Sequence, residues 1–294
     1  MIGQAIAAFE CTSLSKSFGR RKVLDGLDFR VEPGQCIGLL GANGAGKTTL
    51  LKILLGLMPP TTGQASVAGE NARSLSTQVR ARVGYVPQTP NQFSWLTGQA
   101  MLRYVGAFYP RFDWPYTKSL SERWKLSLKT PIGLLSPGQQ QRLSIVRALG
   151  PRPDLVVLDE PIAALDPATR IAVIDELAHE HAARDISIIF SSHITGDLER
   201  LCSHFIILAE GKVVFSEPAA LCRSLVRIHV TGREEQLAST PFSECRRVRK
   251  PRDGERMLVC SRDQSEEIVA LLPPGANARV EDDNFEAAMS EWMQ

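Results

Sequence analysis

Nine residues, Gly41-Ala42-Asn43-Gly44-Ala45-Gly46-Lys47-Thr48-Thr49, constrain this chain more than any other stretch. They fit G-x-x-x-x-G-K-[ST], the pattern of a phosphate-binding loop. The run Cys36-Ile37-Gly38-Leu39-Leu40 before them reads as a buried strand, and Thr49-Leu50-Leu51-Lys52-Ile53-Leu54-Leu55 after them is apolar at helical spacing. The loop therefore ends a strand and opens a helix, the context its chemistry requires. Glycines let the backbone curl so that successive N–H groups point inward at phosphate oxygens, and the helix N-terminus adds partial positive charge. In such a loop Lys47 reaches the β- and γ-phosphates and the Thr48 hydroxyl holds Mg²⁺. The rival reading, a glycine-rich turn with a surface lysine, needs a chance match expected about once in a hundred chains of this size.

Composition narrows the class. With 44% apolar and 22% charged residues in 294, the chain is an ordinary globular protein of one large or two modest domains. A net charge of +2 argues against a protein that coats nucleic acid or adsorbs strongly to membranes, while leaving room for a local patch. No apolar run approaches the roughly 18 residues that a membrane-spanning helix needs. The N-terminal segment lacks the basic flank and apolar core of a signal peptide. The six cysteines are scattered without a C-x-x-C pair, which points to reduced thiols in a cytosolic protein and away from a disulfide framework or a zinc site.

Along the chain, 9–18 and 23–31 alternate like strands around a basic turn, Gly19-Arg20-Arg21-Lys22, and predict an antiparallel β element ahead of the nucleotide core. Phe18, at the tip of that element, suits stacking on a purine face or simple burial in a strand. Val83-Gly84-Tyr85-Val86-Pro87-Gln88 reads as a strand ending in Gln88, which either coordinates Mg²⁺ or orients a water, or is a plain loop amide. Ten aromatic residues crowd 85–124, among them Phe93, Trp95, Tyr104, Phe108, Phe112 and Trp124. With a helix expected over 98–108, they suggest a small helical insert whose rings form either a groove for a partner helix or the insert's own core.

Leu135-Ser136-Pro137-Gly138-Gln139 starts another helix: Ser136 is a good N-cap, Pro137 suits the first helical position and Gln139 completes a capping box. A helix start also binds anions. Asp154-Leu155-Val156-Val157-Leu158-Asp159-Glu160 is a buried parallel strand ending in two adjacent carboxylates, at the sheet end that faces the ligand crevice. Asp159 is placed for Mg²⁺ and Glu160 to take a proton from an attacking water, an arrangement that reads as hydrolysis chemistry. Asp166 precedes an amphipathic helix over 168–183. The strand Ile186-Ser187-Ile188-Ile189-Phe190-Ser191-Ser192 then ends at His193, either a γ-phosphate contact or a structural histidine.

In this order the pieces resemble the nucleotide-binding subunit of an ABC transporter, over about residues 9–224. The resemblance implies an α/β fold of the P-loop NTPase type: a mixed sheet core, an antiparallel β subdomain and a short helical insert at about 89–150, all within 1–224. It also implies an ATPase using ATP and Mg²⁺. By resemblance, Phe18 stacks on adenine, and Gly41, Asn43, Gly44, Ala45, Gly46, Lys47, Thr48 and Thr49 hold phosphate. Thr48, Gln88 and Asp159 serve the metal, Gln88 senses the γ-phosphate, Glu160 activates water and His193 is the switch histidine. Ser136, Gly138, Gln139 and Asp166 act on the nucleotide of a second ATPase subunit, the same chain or another, paired head to tail. The pair drives an integral membrane permease from the cytoplasmic face of the membrane, and the pattern of 108–114 with 191–194 looks like the bacterial ABC-2, exporter-type ATPases. Pro137 stands where such signatures usually carry glycine, and Ala163-Ala164 replace a polar–small pair. The alternative, a related ATPase acting on nucleic acid or ribosomes, is disfavoured by a single P-loop and by a Lys47–Asp159 interval with no heptads.

Beyond 225 the composition shifts. Strands at 226–230 and 256–260, a basic run at 246–252, and helices over 265–272 and 285–293 suggest a small α/β appendix spanning 225–294. The basic run reads as a charge-guarded hairpin edge or as a contact for anionic lipid or nucleic acid.

Overall fold

The computed structural model describes residues 6–90, 93–193, 196, 198–239, 245, 247–249, 252–281, 289–290 and 292. The chain runs β1 (Phe9–Phe18), β2 (Arg21–Val31), β3 (Cys36–Leu40), α1 (Lys47–Leu54), β4 (Thr62–Val67), β5 (Glu70–Asn71), α2 (Thr77–Arg80) and β6 (Val83–Val86). Three helices follow: α3 (Gly98–Gly106), α4 (Trp114–Arg123) and α5 (Pro137–Leu149). Next come β7 (Leu155–Asp159), α6 (Pro167–Arg184), β8 (Ser187–Ser192), β9 (His204–Ala209), β10 (Lys212–Pro218) and α7 (Ala219–Cys222). The last part is β11 (Leu225–Thr231), α8 (Glu234–Ser239), β12 (Arg247–Arg249), β13 (Glu255–Ser261), α9 (Ser265–Ala270) and β14 (Asn277–Glu281).

The central sheet has the order β10-β9-β3-β8-β7-β6, parallel except at β10. β3, β7 and β8 are buried at every position, which is why their middles read as apolar runs rather than alternations. Period-two geometry then divides their side chains between two cores. Ile37, Leu39, Val157 and Ile189 meet α1 and the antiparallel sheet β2-β1-β4-β5 on one face. Leu40, Leu158 and Phe190 meet α5, α6 and the insert on the other. Leu40 pairs with Ser192 and Asp159 with Ser191, so the carboxyl ends of three neighbouring strands finish level. This is where an α/β sheet opens its ligand crevice.

The two readings of the aromatic insert divide between residues. Phe112 and Trp124 are buried in the main core with Met101, Leu102 and Leu120. Phe93, Trp95, Tyr104 and Phe108 stay exposed and touch one another, Phe93–Trp95 tilted with centroids 5.3 Å apart, and Phe93–Tyr104 and Tyr104–Phe108 edge to face at 5.9 Å and 5.4 Å.

The C-terminal part runs β-α-β-β-α-β with sheet order β12-β13-β11-β14 and antiparallel neighbours, the split βαβ arrangement. Val226, Ile228, Val230, Leu258 and Cys260 face Leu237 and Ile268 of its two helices. The helix expected over 265–272 ends two residues early, at Ala270. The one expected over 285–293 falls largely outside the described residues. Trp292 is buried against Phe215 of β10, with ring centroids 4.7 Å apart.

Candidate nucleotide site

The nine-residue loop joins the end of β3 to α1. Gly46 caps α1 at φ 110°, a left-handed geometry, and a Cβ there would lie 2.6 Å from Leu24 Cδ2 and 3.0 Å from the Val23 carbonyl. Only glycine fits. No side chain caps the helix, so its first-turn N–H groups remain for an anion. A cavity of about 380 Å³ lies in front, lined by Asn43, Gly44, Gly46, Lys47, Thr48, Thr49, Gln88, Glu160, Arg21 and Val23.

Two of its charged groups, Lys47 and Glu160, are buried and face each other. Lys47 Nζ donates to the Gly41 carbonyl at 2.6 Å and lies 3.1 Å from Glu160 Oε1. Glu160 Oε2 sits 2.8 Å from His193 Nδ1. The Glu160 backbone is left-handed, at φ 49°, and its N–H donates to Ser191 Oγ at 3.0 Å. The strained turn after β7 thus swings the second carboxylate toward the loop lysine. Asp159 accepts from Thr48 Oγ1 at 3.1 Å and from Ser191 Oγ at 2.9 Å, both at Oδ1, while the buried Oδ2 has no hydrogen-bond partner. Burial raises the Asp159 carboxyl above its ordinary value, and the Thr48 and Ser191 hydrogen bonds oppose that.

Most predicted residues meet here, and some do not. Gly41 and Ala45 shape the loop without lining the cavity; Ala45 is buried and the Gly41 carbonyl holds Lys47. Phe18 is half exposed beside the cavity, paired in register with Arg21 and with Lys16 Nζ 5.1 Å from its ring centroid. Ser136, Gly138, Gln139 and Asp166 lie outside the cavity. Ser136 and Gln139 form the expected capping box on α5, at 3.3 Å and 2.9 Å. Pro137 occupies the first turn, where a missing N–H breaks no intrahelical bond. Asp166 caps α6 by accepting from Thr169 N at 3.1 Å and Thr169 Oγ1 at 2.7 Å. Gly138 packs by the Ala164 carbonyl and Leu165, so the α5 start and the 163–166 turn share one outward surface. Sequence reasoning missed Arg21 and Val23 as cavity walls; the basic turn at 19–22 was the available signal.

Comparison with known proteins agrees with this geometry. Residues 24–163 match the model of the ABC transporter family. The chain is 37% identical over 292 residues to a Nod factor export ATP-binding protein I of Burkholderia thailandensis, covering 94% of this chain and 92% of that one. A protein of the same name from Burkholderia lata is 39% identical over 225 residues, 74% of each chain. Among solved structures, an ATP-binding subunit of an ABC transporter superposes with TM-score 0.65 at 29% identity, covering 74% of this chain and 92% of that one. A dimeric ATP-binding cassette bound to ADP and Pi also gives TM-score 0.65, at 22% identity over 72% of this chain and 98% of that one, a likeness of fold. The chain belongs to the ABC transporter family, as one of its ATP-binding, ATP-hydrolysing subunits.

Proposed function

We propose that this chain pairs head to tail with a second cassette and that ATP, held between them, drives a separate membrane permease in the direction of export. The observation that carries the reading is a division of labour within one chain. Lys47, Thr48 and Glu160 line one cavity, with Asp159 hydrogen-bonded to Thr48, while Ser136, Gly138 and Asp166 lie on a different, outward surface.

The residues supply the steps as follows. Phe18 stacks on the adenine, and the N–H groups of 44–49 take the phosphate oxygens. Lys47 exchanges Glu160 for the β- and γ-phosphates, one anion for another in a buried site. Glu160, so released, accepts a proton from the attacking water while His193 fixes its other oxygen and Gln88 orients the water. The partner's Ser136–Gln139 and Asp166 face closes over the γ-phosphate. The orphaned Asp159 Oδ2 and the Thr48 hydroxyl, with Gln88 nearby, fit a small hard cation such as Mg²⁺. When bound, that ion neutralises charge on the phosphates.

In this reading 1–224 is the ATPase unit, with its insert at about 89–150, and 225–294 an accessory unit. The exposed rings at 93–108 meet the permease, which holds the chain at the cytoplasmic face of the membrane. The relatives named for export support the direction. Glu160→Gln tests the core of it: phosphate release should nearly vanish while labelled ATP stays bound. Release at the parent rate removes Glu160 from the role of base.

A further inference from the structure

Three charged residues line the nucleotide cavity: Lys47, Glu160 and Arg21. Lys47 and Glu160 answer each other at 3.1 Å. Arg21 has no such partner: among the described residues its guanidinium makes no hydrogen bond or ion pair. The other cations of the same hairpin are engaged or lie elsewhere. Lys22 is paired with Asp25, and Lys16 donates to the Pro59 carbonyl at 2.7 Å while its Nζ sits over the Phe18 ring. Arg20 is exposed at the turn and forms no part of the cavity wall. An unpaired arginine on a surface turn is ordinary. One set in the wall of a phosphate cavity asks for an anion.

The strand geometry says which anion. Arg21 opens β2, and Val23, two residues on, lines the same cavity, as period two requires of one strand face. The Val23 carbonyl lies against Gly46, 3.0 Å from where a Cβ would stand there. Arg21 is one strand repeat away from that contact, about 7 Å along β2. It is also the register partner of Phe18, so the two side chains leave the same sheet face with Cβ atoms about 5 Å apart. In a nucleoside triphosphate the α-phosphate is the anion next to the sugar and base. A guanidinium beside the ring proposed to stack on the base, and one repeat out from the phosphate loop, suits that phosphate. The γ-phosphate belongs at Lys47 and Glu160, which face each other elsewhere in the wall.

We propose that Arg21 is a nucleotide-affinity residue: its guanidinium takes the α-phosphate of ATP and of ADP and holds the sugar end of the chain while the loop holds the rest. The proposal rests on the nucleotide reading of this cavity and on Phe18 as the base contact. Because ATP and ADP share the α-phosphate, Arg21 tightens both and does not choose between them. Arginine can give a phosphate two parallel hydrogen bonds, whereas lysine offers a point charge.

The test is titration calorimetry on the full chain, with ADP on the parent and ATP on the Glu160→Gln background. Adding Arg21→Ala should weaken ADP and ATP alike, about tenfold, and Arg21→Lys should recover part of the loss. Arg20→Ala removes the same charge one residue away and should change either affinity by less than about twofold, since an exposed charge without contact is screened. The two α-thio epimers of ADP read the α-phosphorus itself: the parent should prefer one, and Arg21→Ala should lose most of that preference. Arg21 is exposed, so the fold should survive the change, and an unaltered melting temperature checks this. Parent affinity in Arg21→Ala, a loss confined to ATP, an equal loss in Arg20→Ala, or an epimer preference that Arg21→Ala leaves intact would each overturn the proposal. A parent that binds neither nucleotide overturns the nucleotide reading itself, and the proposal with it.

Discussion

The nucleotide cavity and the surface at the start of α5 belong to the same chain and are built on opposite plans. In the cavity Lys47 and Glu160 are buried and pair with each other, and the buried Asp159 beside them is held by the Thr48 and Ser191 hydroxyls. At the start of α5, Ser136 and Asp166 are exposed, and each spends its side chain on the cap of its own helix. The first face is costly to leave empty and is therefore self-neutralised; the second is comfortable in water and waits for a ligand brought to it. A buried cation without an anion costs far more than an exposed hydroxyl without a partner. In the proposed reading ATP displaces an existing ion pair on one side and meets little resistance on the other.

That contrast can be broken from either side. Lys47→Ala should lower hydrolysis by at least about 100-fold, as for loss of one preorganised electrostatic contact, and a coupled phosphate assay reads it. Gly138→Asp should also be severe, because it sets a carboxylate on the surface proposed to meet the γ-phosphate. Mixing these two variants is the sharper experiment. A head-to-tail pair of unlike chains contains one site with both an intact lysine and an intact signature, so about a quarter of parent activity should return. No recovery means that the two faces do not serve one nucleotide. Pro137→Gly should change turnover by less than about twofold, since proline at the helix start costs no hydrogen bond; a larger gain means the substitution detunes the site.

The smallest effect concerns Asp166. Its hydrogen bonds from Thr169 hold the carboxyl below its ordinary value. A lowered value in the fold gives stability that is present above the ordinary carboxylate range and is lost as pH falls through the shifted value. The melting temperature of Asp166→Ala should therefore lie slightly below the parent's at neutral pH and converge with it in acid. A gap that persists in acid assigns the cap to something other than the ionised carboxylate.

Much of this site was legible in the chain itself, for physical reasons that differ from residue to residue. The loop at 41–49 was readable because its glycines answer local demands, such as the clash a Cβ at Gly46 would make. β7 and β8 were readable because strands buried on both faces need continuous apolar runs. Arg21 and Val23 were not, because their place in the cavity wall depends on how the antiparallel sheet lies over the loop, a contact far from local in sequence. The fate of the insert's rings was undecidable for the same reason: Phe112 and Phe108 are the same residue type, and only tertiary packing buries one and leaves the other in water. The pairing of Glu160 with Lys47 depends on a left-handed backbone at a non-glycine residue, which no pattern of apolar spacing announces.

The stacking of Trp292 on Phe215 has a practical side. The two rings tie the far end of the chain to β10, the edge strand of the sheet that carries the nucleotide loop. Trp292→Ala would unroof that edge, although the substitution lies far along the sequence from β10.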